Sequence, residues 1–111
     1  MKVIDLRHIK STKQLLLEID YCIASARYGK EPVIKFLSRS KFACENLRRS
    51  LRAWKRQNKI YFIIAGENFH EDDERTRFLL DRFPEEKNDS DYGAGNTLAT
   101  IVCIFSSRSY T

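Results

Sequence analysis

Apolar positions along this 111-residue chain change period several times, and each change predicts an element. Residues 2–7 alternate enough to predict a short strand. Ser11-Thr12-Lys13-Gln14 then has the form of a capping box, where a Ser hydroxyl and a Gln amide satisfy backbone groups left open at a helix start. Leu15, Leu16, Ile19, Cys22, Ile23 and Ala26 follow at helical spacing as one apolar stripe. Gly29 is expected to supply the left-handed residue that ends this helix, and Pro32 to prevent its resumption. Val33 to Leu37, β-branched and aromatic, predicts a second strand. A second helix should run from near Ser40 to about Gln57, with Ala43, Cys44, Leu47, Leu51 and Trp54 on its apolar face. Residues 60–65 are almost continuously apolar, as in a strand covered on both faces, and residues 97–105 predict a fourth strand. Between them lies an acidic stretch, 67–96. It should hold one short helix around 72–83, anchored by Phe78, Leu79 and Phe83 and stopped by Pro84. From Ser106 onward the tail is polar and expected to fray.

This order predicts an α/β (α+β) two-layer sandwich, β-α-β-α-β-β. It has a mixed four-stranded sheet, two main helices on one face, and a short extra helix between the last two strands. One domain should span 1–111, since two cores would not fit. With 42% hydrophobic and 32% charged residues, the composition is that of a globular chain rather than a disordered one. No apolar run of about 18 residues exists, so no membrane partner is expected. The opening residues lack the apolar stretch of a secretory signal, and a cytoplasmic location is the expectation. Cys22, Cys44 and Cys103 are far apart, odd in number and without a CxxC pair, which argues against structural zinc and a disulfide framework. No metal and no other cofactor is expected.

Charge changes the picture more. Residues 1–66 hold 15 Lys/Arg and 5 Asp/Glu, a balance of +10, while residues 67–111 hold 5 and 10, a balance of −5. Such a split suggests a polyanionic partner for one surface and a separate role for the acidic segment. At about 100° per residue, Lys41, Arg48, Arg52, Lys55 and Lys59 project within a narrow sector of the second helix, flanked by Arg49 and Arg56. These seven cations face a single acid, Glu45. The stripe suits phosphate tracking; the alternative is a solvated helix face. Tyr28 and Phe42 lie near enough to stack on bases, with core packing the stronger expectation for Phe42. Glu71-Asp72-Asp73-Glu74 suits a helix start, where acids complement the dipole, better than a cation site. The acidic segment as a whole either covers the basic face or binds a protein partner.

Ile4-Asp5-Leu6-Arg7 at the opening, together with the order of elements, resembles the Smr (small MutS-related) domain over about residues 3–105. That family begins with a strand ending in D-L-R or D-L-H, usually followed by Gly. A long helix, a strand, an H-G-x-G loop, a second helix and two closing strands come after it. Val33–Leu37 sits at the family's second strand and Leu47-Arg48 at the L-R run of its second helix. Gly66-Glu67 matches the turn after the third strand, and Gly93-Ala94-Gly95-Asn96-Thr97 the glycine-containing approach to the fourth. The chain departs from the pattern at Ser38-Arg39-Ser40-Lys41, which replaces H-G-x-G, and at His8, which replaces the Gly; the stretch between the last two strands is also longer. Smr domains are similar in fold to the C-terminal domain of the third bacterial translation initiation factor.

The resemblance implies a partner in structured or branched DNA or RNA. It also implies, as in several members, a nicking endonuclease with little or no need of a metal. Carried over by position, Asp5 would orient or deprotonate a nucleophile, Arg7 and Arg39 would hold the phosphate, and His8 would act as general acid. The alternatives are that Asp5 pairs with Arg7 or bonds a loop backbone, and that His8 is a surface histidine. Ser38, Arg39, Ser40 and Lys41 place two hydroxyls and two cations at a helix start, where N–H groups favour anions; alternatively Ser40 only caps the helix. Loss of H-G-x-G moves the expectation from catalysis toward binding. It also supports a second reading, a catalytically inactive adaptor that recruits a protein through the acidic insertion. No nucleotide-binding glycine pattern, Ser-His-Asp order or metal-ligand spacing supports a small-molecule enzyme.

Overall fold

The computed structural model describes residues 1–105, so the polar tail from Ser106 lies outside the described residues. In chain order the elements are β1 (Lys2–Asp5), α1 (Thr12–Tyr28), β2 (Val33–Leu37), α2 (Lys41–Arg56), β3 (Phe62–Ala65), α3 (Glu74–Arg82) and β4 (Ala99–Cys103). Short 3-10 turns at Gly66–Asn68 and Pro84–Asn88 flank α3. Every expected element is present in the expected order, and the strands are shorter than their apolar runs. Pairing outlasts the strands at their ends: Leu6 N–H donates to the Leu37 carbonyl (2.9 Å) and Tyr61 N–H to that of Cys103 (2.8 Å).

Each helix starts on a side-chain cap. Ser11 Oγ accepts from Gln14 N–H, Ser40 Oγ from Ala43 N–H, and the Asp73 carboxylate from Thr76 N–H. The first two longer helices end in Schellman motifs, closed by Glu31 N–H on the Ala26 carbonyl and by Lys59 N–H on that of Trp54. Here one expectation is corrected. The left-handed residue after α1 is Lys30 (φ 57°), not Gly29, which stays right-handed at φ −79° because its N–H still bonds the Ser25 carbonyl. Asn58 (φ 59°) plays the same part after α2.

The sheet order is β1-β2-β4-β3, with β1 and β2 parallel and β4 antiparallel to both its neighbours. Side chains alternate across it. Ile34 and Phe36 of β2 join Leu15, Ile19 and Ile23 of α1 and Leu47 and Leu51 of α2, so both long helices cover one face, completing a two-layer sandwich. Leu16, placed on the α1 stripe by spacing, is exposed at its margin. Val33, Ile101, Phe62 and Ile64 point the other way, into a second cluster with Phe69, Leu79 and Phe83. The acidic segment therefore supplies the cover of the far face, and its apolar residues lie away from α1 and α2. Its turn at Gly66 packs so closely that a Cβ there would sit 2.0 Å from the Asn96 carbonyl. Far-side cover is missing beside β1, where Val3 is half exposed. Among the described residues no helix is long and apolar enough to cross a membrane.

Candidate nucleic-acid interface and polar cleft

The parallel strands β1 and β2 end side by side, so Asp5, Arg7 and His8 leave one strand where Ser38 to Lys41 leave the other. Arg7 forks onto Asp5: its Nε donates to Oδ1 (2.9 Å), its Nη2 to Oδ2 (2.8 Å), and its backbone N–H again to Oδ1 (3.0 Å). The side-chain hydrogen bonds from Arg7, then its backbone bond, hold the Asp5 carboxyl well below the usual carboxylate range. A carboxylate so stabilised is a weak proton acceptor, and both of its oxygens are occupied. His8 is exposed. Ser40 caps α2, and Arg39 and Lys41 are exposed. Ser38 is 2% exposed, and its hydroxyl has no hydrogen-bond partner among the described residues.

A cleft of about 520 Å³ opens where the far face lacks cover. It brings together Arg7 and Ser38 with Val3, Lys35, Asp89, Asp91 and Asn96. Asp5, His8, Arg39, Ser40 and Lys41 do not line it. Lys35 at its floor is 3% exposed, and its ammonium donates to Asp89 (2.8 and 3.0 Å) and Asp91 (2.7 Å). Asn96 donates to the other Asp91 oxygen (3.0 Å). Burial alone would pull the lysine pKa down, but the hydrogen bonds and charges of the two aspartates outweigh it, and the pKa is raised. For Asp91, burial pushes upward and the bonds from Lys35 and Asn96 prevail, so its pKa is lowered. With its protons engaged in this way, Lys35 is a fixed charge and not a nucleophile. Sequence reasoning missed this cluster. The available signal was a lysine inside the apolar run Val33–Leu37, which a buried strand cannot hold without an acid.

The α2 stripe divides in the structure. The Arg48 guanidinium donates to Thr100 Oγ1 (3.1 Å), the Thr97 and Ala99 carbonyls (3.0 Å each) and Glu67 (3.0 Å). At about 60° from Leu51 around the helix, it lies on the margin of the apolar face and is drawn inward. Arg39, Lys41, Arg49, Arg52, Lys55 and Arg56 stay exposed, and none makes an ion pair among the described residues. Lys59 is exposed too, its carbonyl accepting from Arg27. Phe42, expected in the core, is 69% exposed, because it lies about 140° around the helix from Leu47. Tyr28 is almost fully exposed at the end of α1.

The remaining candidates have local roles. His70 Nδ1 accepts from Asp72 N–H, and Asp73 caps α3. Burial pushes the Cys22 thiol up to about 11 and that of Cys103 up to about 12, so neither supplies a thiolate near neutral pH. Among the described residues no three His, Cys, Asp or Glu side chains converge as a metal would require. No protein-family model, curated protein or solved structure matches this chain.

Proposed function

We propose that this chain is a nucleic-acid-binding domain that tracks a phosphate backbone along the outward face of α2, as its resemblance to the Smr domain implies. One observation carries the reading. Six cations on one helix and its lead-in, Arg39, Lys41, Arg49, Arg52, Lys55 and Arg56, are exposed without internal ion pairs. Cations placed this way release counterions from a polyanion and are available to do so. Binding is favoured over nicking because Asp5, the candidate base, is held ionised by Arg7 with both oxygens occupied. The adaptor reading gains nothing comparable. Five carboxylates of its acidic segment, those of Glu67, Asp73, Glu86, Asp89 and Asp91, are engaged inside the fold.

A mobility-shift titration with branched DNA and structured RNA tests the proposal. Binding should weaken steeply with salt, with a log–log slope of about −0.9 per phosphate contacted on duplex DNA. Replacing Arg49, Arg52 and Arg56 together with Ala should flatten that slope by two to three contacts, about −0.9 each. Absence of any retained nucleic acid at low salt would remove the reading.

A further inference from the structure

We propose that Phe42 is a stacking platform for an unpaired base, so that the cationic face of α2 takes single-stranded nucleic acid in preference to duplex. The inference rests on reading that face as a phosphate track and adds what the track selects. Phe42 is the one large apolar side chain exposed on α2 among the described residues. Other exposed aromatics lie elsewhere: Tyr21 and Tyr28 are on α1, and Tyr61 is stacked on Phe78 at 5.5 Å. Phe42 makes no ring contact among the described residues. It follows Arg39 and Lys41 in sequence, and Arg49 and Arg56 recur seven residues apart on nearly the same line of the helix. At 1.5 Å per residue, the ring and these two guanidinium groups span about 20 Å.

That arrangement discriminates where cations alone do not. Lys and Arg hold the phosphates of paired and unpaired strands alike. An aromatic ring needs the face of a base, which a duplex keeps inside its own stack and a single strand presents. Because every base has such a face, the site should tolerate sequence, and because the ring makes no use of the sugar, it should accept DNA and RNA.

Fluorescence anisotropy with labelled oligonucleotides of about 12 nucleotides, within the range such sites cover, tests this. The same sequence is offered as single strand and as duplex, in DNA and in RNA, at about 50 mM salt. The wild type should prefer the single strand. Phe42→Ala should weaken single-strand binding by about 5- to 100-fold and leave duplex binding unchanged, while Phe42→Trp should retain it. As Phe42 packs against nothing in the core, the melting midpoint of Phe42→Ala should match the wild type. Equal loss on both substrates, or no loss, would overturn the stacking role while leaving the phosphate track standing. Failure of the wild type to bind either substrate would overturn both.

Discussion

The two charged regions of this molecule meet opposite fates. Cations of α2 and its lead-in point outward with no acid beside them, Arg48 excepted. Acids of the 67–96 segment turn inward and each engaged one has a stated partner: Glu67 on Arg48, Glu86 on the Met1 ammonium, Asp89 and Asp91 on Lys35, Asp73 on the first turn of α3. A charge count along the sequence treats both regions as surface. The structure shows that the acidic one is architecture, built around Phe69, Leu79 and Phe83 on the far face of the sheet. Net charge thus understates how basic the accessible helix face is.

The strongest way to break this contrast is to remove the acidic segment. Deleting residues 68–92 takes away Phe69, Leu79 and Phe83 and opens the far-face cluster, so the expected outcome is an unfolded chain, seen as loss of cooperative melting. A cooperative transition in that deletion would show the segment to be an appendage after all. Partner-capture experiments on the acidic segment accordingly need substitutions of exposed acids such as Glu71, Asp72 and Asp81.

Next in size is Lys35→Met, which leaves Asp89 and Asp91 facing a buried methyl group. Breaking a buried ion pair from one side costs about 3–5 kcal/mol, measurable by urea denaturation at neutral pH. The pH dependence follows from the two shifts. Asp91 has a lowered folded pKa, so its contribution is present above its ordinary value near ~3.9 and is lost as pH falls through the folded value. Lys35 has a raised folded pKa, so its share is present below ~10.4 and is lost as pH rises through the folded value. Wild-type stability from this cluster should therefore be flat between roughly pH 4 and 10. The deficit of Lys35→Met should shrink on acidification, because protonated carboxyls no longer repel one another. A deficit independent of pH would assign the loss to packing alone.

The same contrast explains what was legible in the sequence. Caps at Ser11 and Ser40 are three-residue signals whose physics is complete locally, and both fall at the expected positions. Both long helices covering one face follows from their single apolar stripes. Lys35, by contrast, finds Asp91 across 56 positions, and that meeting depends on how the far-face cover is laid down. Gly29 misleads by one residue, since a helix end is set by its last satisfied hydrogen bond and not by the most permissive residue. Phe42 misleads because aromatic character was weighed above helical angle. Of the candidate site, sequence identified the cations and the strand ends, and the cleft floor required the fold.

Arg48 and Arg52 sharpen the comparison at its finest scale, since both belong to one stripe by spacing and differ in what they touch. Arg48→Ala strips donors from Thr100 Oγ1 and from the Thr97 and Ala99 carbonyls, and should cost about 1–3 kcal/mol of stability. It should leave the salt dependence of nucleic-acid binding nearly as it was, because its guanidinium is already committed within the fold. Arg52→Ala removes an exposed cation without an ion pair among the described residues, and should leave urea denaturation unchanged. Its effect should appear in the salt slope of binding, reduced by about one phosphate contact. The two variants measured side by side, by denaturation and by salt titration, should show each effect in one assay only. Were Arg48→Ala to flatten the salt slope as much as Arg52→Ala does, the division of the stripe into an inward and an outward arginine would be wrong.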